Sequence, residues 1–191
     1  PSGFPSPRRG LGESGYSTEA VANLTSDADA EAILLAAEEV ALEVLEPGTL
    51  SELLPCASEP AGRACAETFL DTYGPRAYRR PLSREERAIY LRAFDDARAD
   101  GASFGQGVAV MVQALLMTPA FLYPAYTGSA AGGPPEGVAL DGYSLASRLA
   151  ALLWDSVPDA RLLELARSGE LEAPEVLARE ARRMLSDPKS A

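Results

Sequence analysis

The sequence predicts an all-α protein, a compact bundle of about seven helices with no sheet. Three observations predict it. Apolar residues recur at three- and four-residue intervals, cap residues stand at the heads of those stretches, and no alternating strand pattern of four or more residues occurs outside them.

Residues 1–25 are rich in glycine and proline and read as an irregular lead-in. Ser26 then caps a helix over Asp27 to Leu45, in which Ile33, Ala36, Ala37, Val40, Ala41 and Val44 form one face. Asp27, Asp29 and Glu31 stand in its first turn, where carboxylates meet the positive end of the helix dipole, and Pro47-Gly48 stops it. From Leu50 to Pro60 the chain is expected to turn repeatedly. A second helix runs from Ala61 to Tyr73, where Gly74 and Pro75 interrupt it, and Arg76 to Arg80 continue at an angle as far as Pro81.

Ser83 and Glu86 make a capping box, the serine accepting from the Glu86 amide while the glutamate reaches back to the serine N–H. The helix it opens, Arg84 to Ala99, is expected to turn Ile89, Ala93 and Ala97 toward a core, flanked by Tyr90 and Phe94. Gly101 suits a left-handed C-terminal cap. Ser103 with Gln106 repeats the box for a helix to Met117, marked by Val108, Val112, Leu115 and Leu116. Thr118-Pro119 closes it, and Phe121, Leu122 and Tyr123 follow as an apolar anchor.

Residues 127–139 are small and rich in Gly and Pro, a linker between a helical module over 26–126 and the start of a second over 140–191. In the second, Asp141 caps a helix through Leu153 with Leu145, Leu149, Leu152 and Leu153 on its apolar side. Another helix begins near Pro158 and ends by Gly169, and a last one spans Pro174 to Leu185.

Of the 191 residues, 28 are acidic and 17 basic, a formal net charge of -11 with Lys189 the only lysine. That balance argues against a nucleic-acid phosphate binder. No apolar run reaches the roughly 20 residues that span a bilayer. The chain shows no signal peptide and opens at Pro1 without a Met, so it reads as a piece of a longer protein. It contains no histidine, which excludes Ser-His-Asp and Cys-His nucleophiles, HExxH zinc sites and CxxCH haem attachment within these residues. Catalysis would have to run on carboxylates, Tyr, Cys or one Lys.

Cys56 and Cys65 enclose eight residues across a loop containing Pro and Gly. The loop is short enough to bridge, and a disulfide, with the oxidising compartment it implies, is favoured over two free thiols. Asp96 to Gly107 fails as a calcium loop, since its third position is Arg98 and its twelfth is Gly107. Gly105-Gln106-Gly107 follows no strand and lacks a third glycine, so it is no dinucleotide site. Asn23-Leu24-Thr25 fits a glycosylation sequon in isolation. The plentiful carboxylates show no facing pair and read as a solvated face. Arg76, Arg79, Arg80, Arg84, Arg87 and Arg92 spread over several helix faces. That favours internal pairing, with the acidic first helix or with helix C-terminal carbonyls, over an anion or acidic-partner site.

The stretch Tyr73 to Ser83 (YGPRAYRRPLS), then Glu86, then Leu115 to Tyr123 (LLMTPAFLY), resembles a small module of uncharacterised function found in large secreted proteins of planctomycetes and myxobacteria. Ala146 to Asp159 (ASRLAALLWDSVPD), with Leu162, Ala166, Gly169, Leu171 and Arg183 to Pro188, resembles the start of the module that follows it. The Cys56 and Cys65 pair is similar to the cysteines preceding the first module, and Phe4 to Leu45 resembles, more weakly, the end of the domain before them. Such modules commonly lie upstream of a c-type cytochrome-like haem domain, which implies a periplasmic or cell-surface setting. No catalytic residue is established for them, so none is carried over, and no cofactor is expected in this chain.

Structural roles are expected for four residues of these strings. Arg148 would meet Asp155 or Asp159 beside the indole of Trp154, making a corner, and Arg80, which precedes Pro81, would bond nearby carbonyls. The expected function is a non-catalytic helical scaffold or interaction module of a secreted, cytochrome-associated protein, contacting a protein partner or neighbouring domains of the same polypeptide. Two alternatives stand beside it. A cell-surface polysaccharide-related enzyme or binding protein would show two carboxylates across a cleft, or aromatic residues lining a groove. An accessory subunit of a membrane-associated redox complex would show a large apolar surface on the helix carrying Val108, Val112 and Leu116.

Overall fold

A computed structural model describes residues 27–46, 48–57, 62–123, 126–129 and 139–190. The expected Ser26 cap, the sequon at Asn23 and most of the 127–139 linker lie outside the described residues. The protein is all-α. Its helices are α1 (Asp27–Glu43), α2 (Thr49–Leu53), α3 (Arg63–Tyr78), α4 (Arg84–Ala99), α5 (Phe104–Leu116), α6 (Pro119–Leu122), α7 (Gly142–Trp154), α8 (Ala160–Ser168) and α9 (Pro174–Leu185). The extended pairing among the described residues is one two-residue antiparallel rung set, Gly128–Ser129 against Ala139–Leu140.

The chain groups into two compact units, one of residues up to 66 with 89–117, the other of 67–88 with 118–191. Residues 67–88 and 118–126, placed with the first module by sequence, thus group with the second unit.

In the first unit α1 packs on α5. Ala36, Ala37 and Ala41 of α1 are buried, small side chains that let the backbones approach, and Val108, Ala109 and Met111 of α5 are buried as well. α5 opens with the predicted capping box: the Ser103 hydroxyl accepts from the Gln106 N–H, and the Gln106 side chain accepts from the Ser103 N–H. Phe104 meets Phe94 of α4 edge to face at 5.6 Å. Gly107 passes under the Phe94 ring, where a Cβ would collide. α4 buries Tyr90, Leu91 and Phe94, whereas Ile89 is 63% exposed. The expected strip of Ile89, Ala93 and Ala97 loses to its neighbour because two aromatic rings and a leucine remove more apolar area from water. Residues 49–53, read as turns, form the single-turn helix α2. The Cys56–Cys65 disulfide ties the segment after α2 to the first turn of α3.

The second unit contains α3 from residue 67 onward. The expected break at Gly74-Pro75 does not occur, and α3 continues to Tyr78 with Pro75 inside it. Proline removes the hydrogen bond to the Asp71 carbonyl, but Asp71 lies on the exposed side, where solvent can serve that oxygen. Gly74 is needed for packing: a Cβ there would collide with Leu82. The chain reverses after Tyr78 at Arg79, whose φ is 59°. Thr118, expected to close α5, caps α6 instead, its hydroxyl accepting from the Phe121 N–H.

The core of α7, α8 and α9 comprises Ala146, Ala150, Trp154, Leu162, Ala166, Leu171 and Met184. Leu145, Leu149 and Leu153 pack against it, but Leu152 is 80% exposed. Leu152 stands about 200° around the helix from Ala150, and the face that turns inward is the alanine strip. Gly142 lets α7 approach α8, since a Cβ would lie 2.9 Å from the Ala166 carbonyl oxygen.

One buried charge locks this unit. Glu180 of α9 has no exposed surface, and both of its oxygens are engaged. Arg161 donates Nε to Oε2 and Nη2 to Oε1, each at 2.8 Å, and Arg183 donates Nε to Oε2 at 2.7 Å. Arg183 also pairs with Asp159 at 2.9 Å. Its Nη2 is the one side-chain polar atom buried without a partner among the described residues. These hydrogen bonds, Arg161 first, outweigh desolvation and hold the Glu180 carboxyl at about 2.

A carboxyl depressed in the fold stabilises it above its unfolded pKa and loses that contribution as pH falls through the folded one. Glu180 thus contributes on the order of 3 kcal/mol that is present above about pH 4.5 and lost toward pH 2. Glu180→Gln is expected to cost roughly 3 kcal/mol in urea unfolding at pH 7, because it leaves the arginines uncompensated, and far less at pH 2.5. Replacing both Cys56 and Cys65 by Ser should cost about 2.5–3 kcal/mol through loop entropy, a difference that disappears when the parent chain is unfolded under reductant.

Candidate functional site

The second unit holds a polar cleft of about 220 Å³. The last turn of α3 and the reversal after it supply Tyr78, Arg79 and Arg80, and the first turns of α7 supply Tyr143, Ser144 and Ser147. Ala120, Thr127 and Asp141 complete the lining. Sequence dictates this convergence. Pro81 keeps Arg80 out of a helix, and the chain turns at Arg79 after α3 ends at Tyr78. Asp141 fixes where α7 begins: its Oδ1 accepts from the Ser144 N–H at 2.7 Å, and its Oδ2 accepts from the Thr127 hydroxyl.

The charges in the cleft are held differently. Arg80 pairs in fork geometry with Glu86, Nη1 to Oε2 at 2.9 Å and Nη2 to Oε1 at 2.7 Å, and this pairing holds the Glu86 carboxyl below its usual range. Arg80 also donates to the Pro81 carbonyl at 2.9 Å and lies 5.2 Å from the Tyr78 ring centroid. Arg79 is half-buried, and burial pushes its pKa down. Its Nη1 donates to the carbonyls of Phe121 at 3.2 Å and of Ala77 and Ala120 at 3.5 Å, and among the described residues it meets no carboxylate. For Asp141 burial acts upward, but the hydrogen bonds from Thr127 and Ser144 outweigh it and its pKa falls. Burial raises the Tyr143 phenol.

Of the residues singled out by sequence, Cys56 and Cys65 are joined to each other. Arg80 does bond a nearby carbonyl, but its main partner is Glu86. Trp154 is 7% exposed and its Nε1 donates to the Met184 carbonyl at 3.1 Å. Asp159 caps α8 by accepting from the Leu162 N–H. Arg148 does not reach that corner: it lies over Tyr126, 5.5 Å from the ring centroid. Six residues separate it from Trp154, which sets their faces about 120° apart. Arg183 takes the expected place, pairing with Asp159 and lying 5.5 Å from the indole centroid, with Lys189 at 5.1 Å. Glu180 and Arg161 went unnoticed by sequence, although the Glu180 to Arg183 spacing is one at which helical charges meet.

Among the described residues Asp141 is the one carboxylate in the cleft lining, and both its oxygens serve the start of α7. Val108 of α5 is fully buried, and Val112 and Leu116 are partly so. Among the described residues no three His, Cys, Asp or Glu side chains cluster as metal ligands, and no helix is long and apolar enough to cross a membrane. An open groove of about 490 Å³ lies along α7, lined largely by Leu145, Leu149, Leu152 and Leu177.

Truncating the indole tests the corner. Trp154→Ala should lose roughly 3–5 kcal/mol in denaturant unfolding, whereas Arg148→Ala, outside the corner, should change stability by less than about 1 kcal/mol.

Residues 65–125 match the family model PSD5, described as a protein of unknown function (DUF1595), and residues 140–191 match PSD4, described as a protein of unknown function (DUF1592). No curated protein and no solved structure gives a significant match to the chain. The chain thus carries, one after the other, segments similar to two domain families of unknown function.

Proposed function

We propose that this chain is a non-catalytic helical scaffold and interaction module of an exported protein, acting beside a c-type cytochrome-like haem domain of the same polypeptide at the periplasmic or outer cell surface. The observation that carries the reading is where the buried and capping charges go. Glu180 is spent on Arg161 and Arg183, Asp159 on Arg183 and the start of α8, Glu86 on Arg80, and Asp141 on Thr127 and the start of α7. Groups committed to caps and internal pairs hold helices in place and are poorly disposed to exchange protons with a substrate.

Two further observations support it. The Cys56–Cys65 disulfide suits an oxidising compartment. The groove along α7, with Leu152 80% exposed, offers an apolar face to a neighbouring domain.

The test is fractionation of the native parent polypeptide from its source cells, followed by haem staining and thiol labelling. Peptides of this chain should occur in the exported fraction, at the same gel position as covalently bound haem, with Cys56 and Cys65 unavailable to alkylation before reduction. A haem-free cytosolic polypeptide with both thiols reactive overturns the proposal.

A further inference from the structure

The cleft between the end of α3 and the start of α7 contains polar groups that the fold leaves unused. Arg79 has no carboxylate partner among the described residues and only one of its nitrogens is engaged, on backbone carbonyls. The hydroxyl of Ser147 is on a residue only 7% exposed, lines the cleft and makes no hydrogen bond among the described residues. The Tyr143 hydroxyl likewise has no such partner. Among the described residues only Arg183 Nη2 is a buried side-chain polar atom without a partner, so these donors open onto the cleft, where water or a ligand can meet them. Arg79 is moreover held at a φ of 59°, a left-handed conformation that bulky side chains rarely adopt.

From this cavity and its unpaired groups we infer that the cleft is a binding site for a small hydroxylated carboxylate, of the size of a sugar acid. Three features select that chemistry. Arg79 provides a planar donor fork with a single uncompensated positive charge, which suits one carboxylate. Arg80 is already neutralised by Glu86, so among the described residues the cleft offers no second uncompensated cation for a doubly charged phosphate. Tyr143 and Ser147 supply hydroxyls that donate and accept, the complement of ligand hydroxyls, and the rings of Tyr78 and Tyr143 supply flat apolar surface. A volume of about 220 Å³ gives room for a ligand the size of a monosaccharide. Asp141 stays ionised in the same cleft, so it faces a hydroxyl of such a ligand, which can donate to it, and the ligand's carboxylate turns to Arg79.

The experiment is calorimetric titration of the whole chain with D-glucuronate, D-glucose and inorganic phosphate. Saturable binding of glucuronate is expected, at least about tenfold tighter than glucose, because the charged hydrogen bond to Arg79 is lost with the neutral sugar. Tyr143→Phe and Ser147→Ala should each weaken glucuronate about threefold to tenfold with an unchanged helical circular dichroism spectrum. Arg79→Gln should reduce glucose binding little and glucuronate binding by more than about tenfold. If that variant fails to fold, the two hydroxyl variants carry the test. Absence of saturable glucuronate binding, equal affinity for glucose, a preference for phosphate, or full affinity in both hydroxyl variants overturns the assignment.

Discussion

A carboxylate with no exposed surface cannot be left to chance, and Glu180 sets the terms on which the second unit packs. Removing such a group from water costs several kcal/mol unless its lone pairs are met by well-aligned donors. Arg161 meets it with two bonds from the first turn of α8, and Arg183 meets it from one turn along α9. Arg183 then reaches Asp159, which caps α8, and covers Trp154, whose indole N–H holds the Met184 carbonyl. The end of α7, the start of α8 and the length of α9 are thereby fixed by one set of bonds. Shifting any of the three by a turn would strand a guanidinium or the carboxylate.

The parts of this fold legible in the sequence are those governed by local chemistry. The capping boxes at Ser83 and Ser103, the Asp141 cap and the left-handed glycine at 101 act within a few residues of themselves, and each sits where its spacing implies; the Asp159 cap and the left-handed turn at Gly169 are of the same local kind. The faces of helices were less legible, since size ranked Ile89 and Leu152 above their neighbours. Which face turns inward depends on what packs there. Beside Trp154 and α8 the winning residues were alanines, because closely packed backbones leave no room for leucine. α3 runs on through Pro75, and the space above Gly74 is filled by Leu82, eight residues away, which local propensity does not report.

The ion network was the least legible element. Periodicity reports apolar faces, and a glutamate among arginines in α9 reads as solvated surface. Only the approach of α8 makes Glu180 a buried acceptor. The corner is of the kind the sequence implies, an arginine between an aspartate and an indole, but Arg183 fills it. Arg148 was nearer in sequence, but helix geometry points it at Tyr126.

The arginines around α3 and α4 show how internal pairing and ligand binding can be told apart. Arg63 pairs with Asp95, Arg87 with Asp71, and Arg80 with Glu86. Each of these cations is cancelled by a carboxylate fixed on a helix, and each is explained by the stability of its own neighbourhood. Arg79 departs from that pattern: it takes the strained backbone position, is half-buried, and receives only weak backbone acceptors at 3.2–3.5 Å. Its Nη1 serves the carbonyls near α6, and its other nitrogens make no hydrogen bond among the described residues. A guanidinium held there with most of its donors unspent, beside two idle hydroxyls, is arranged for an anion that arrives from outside the fold.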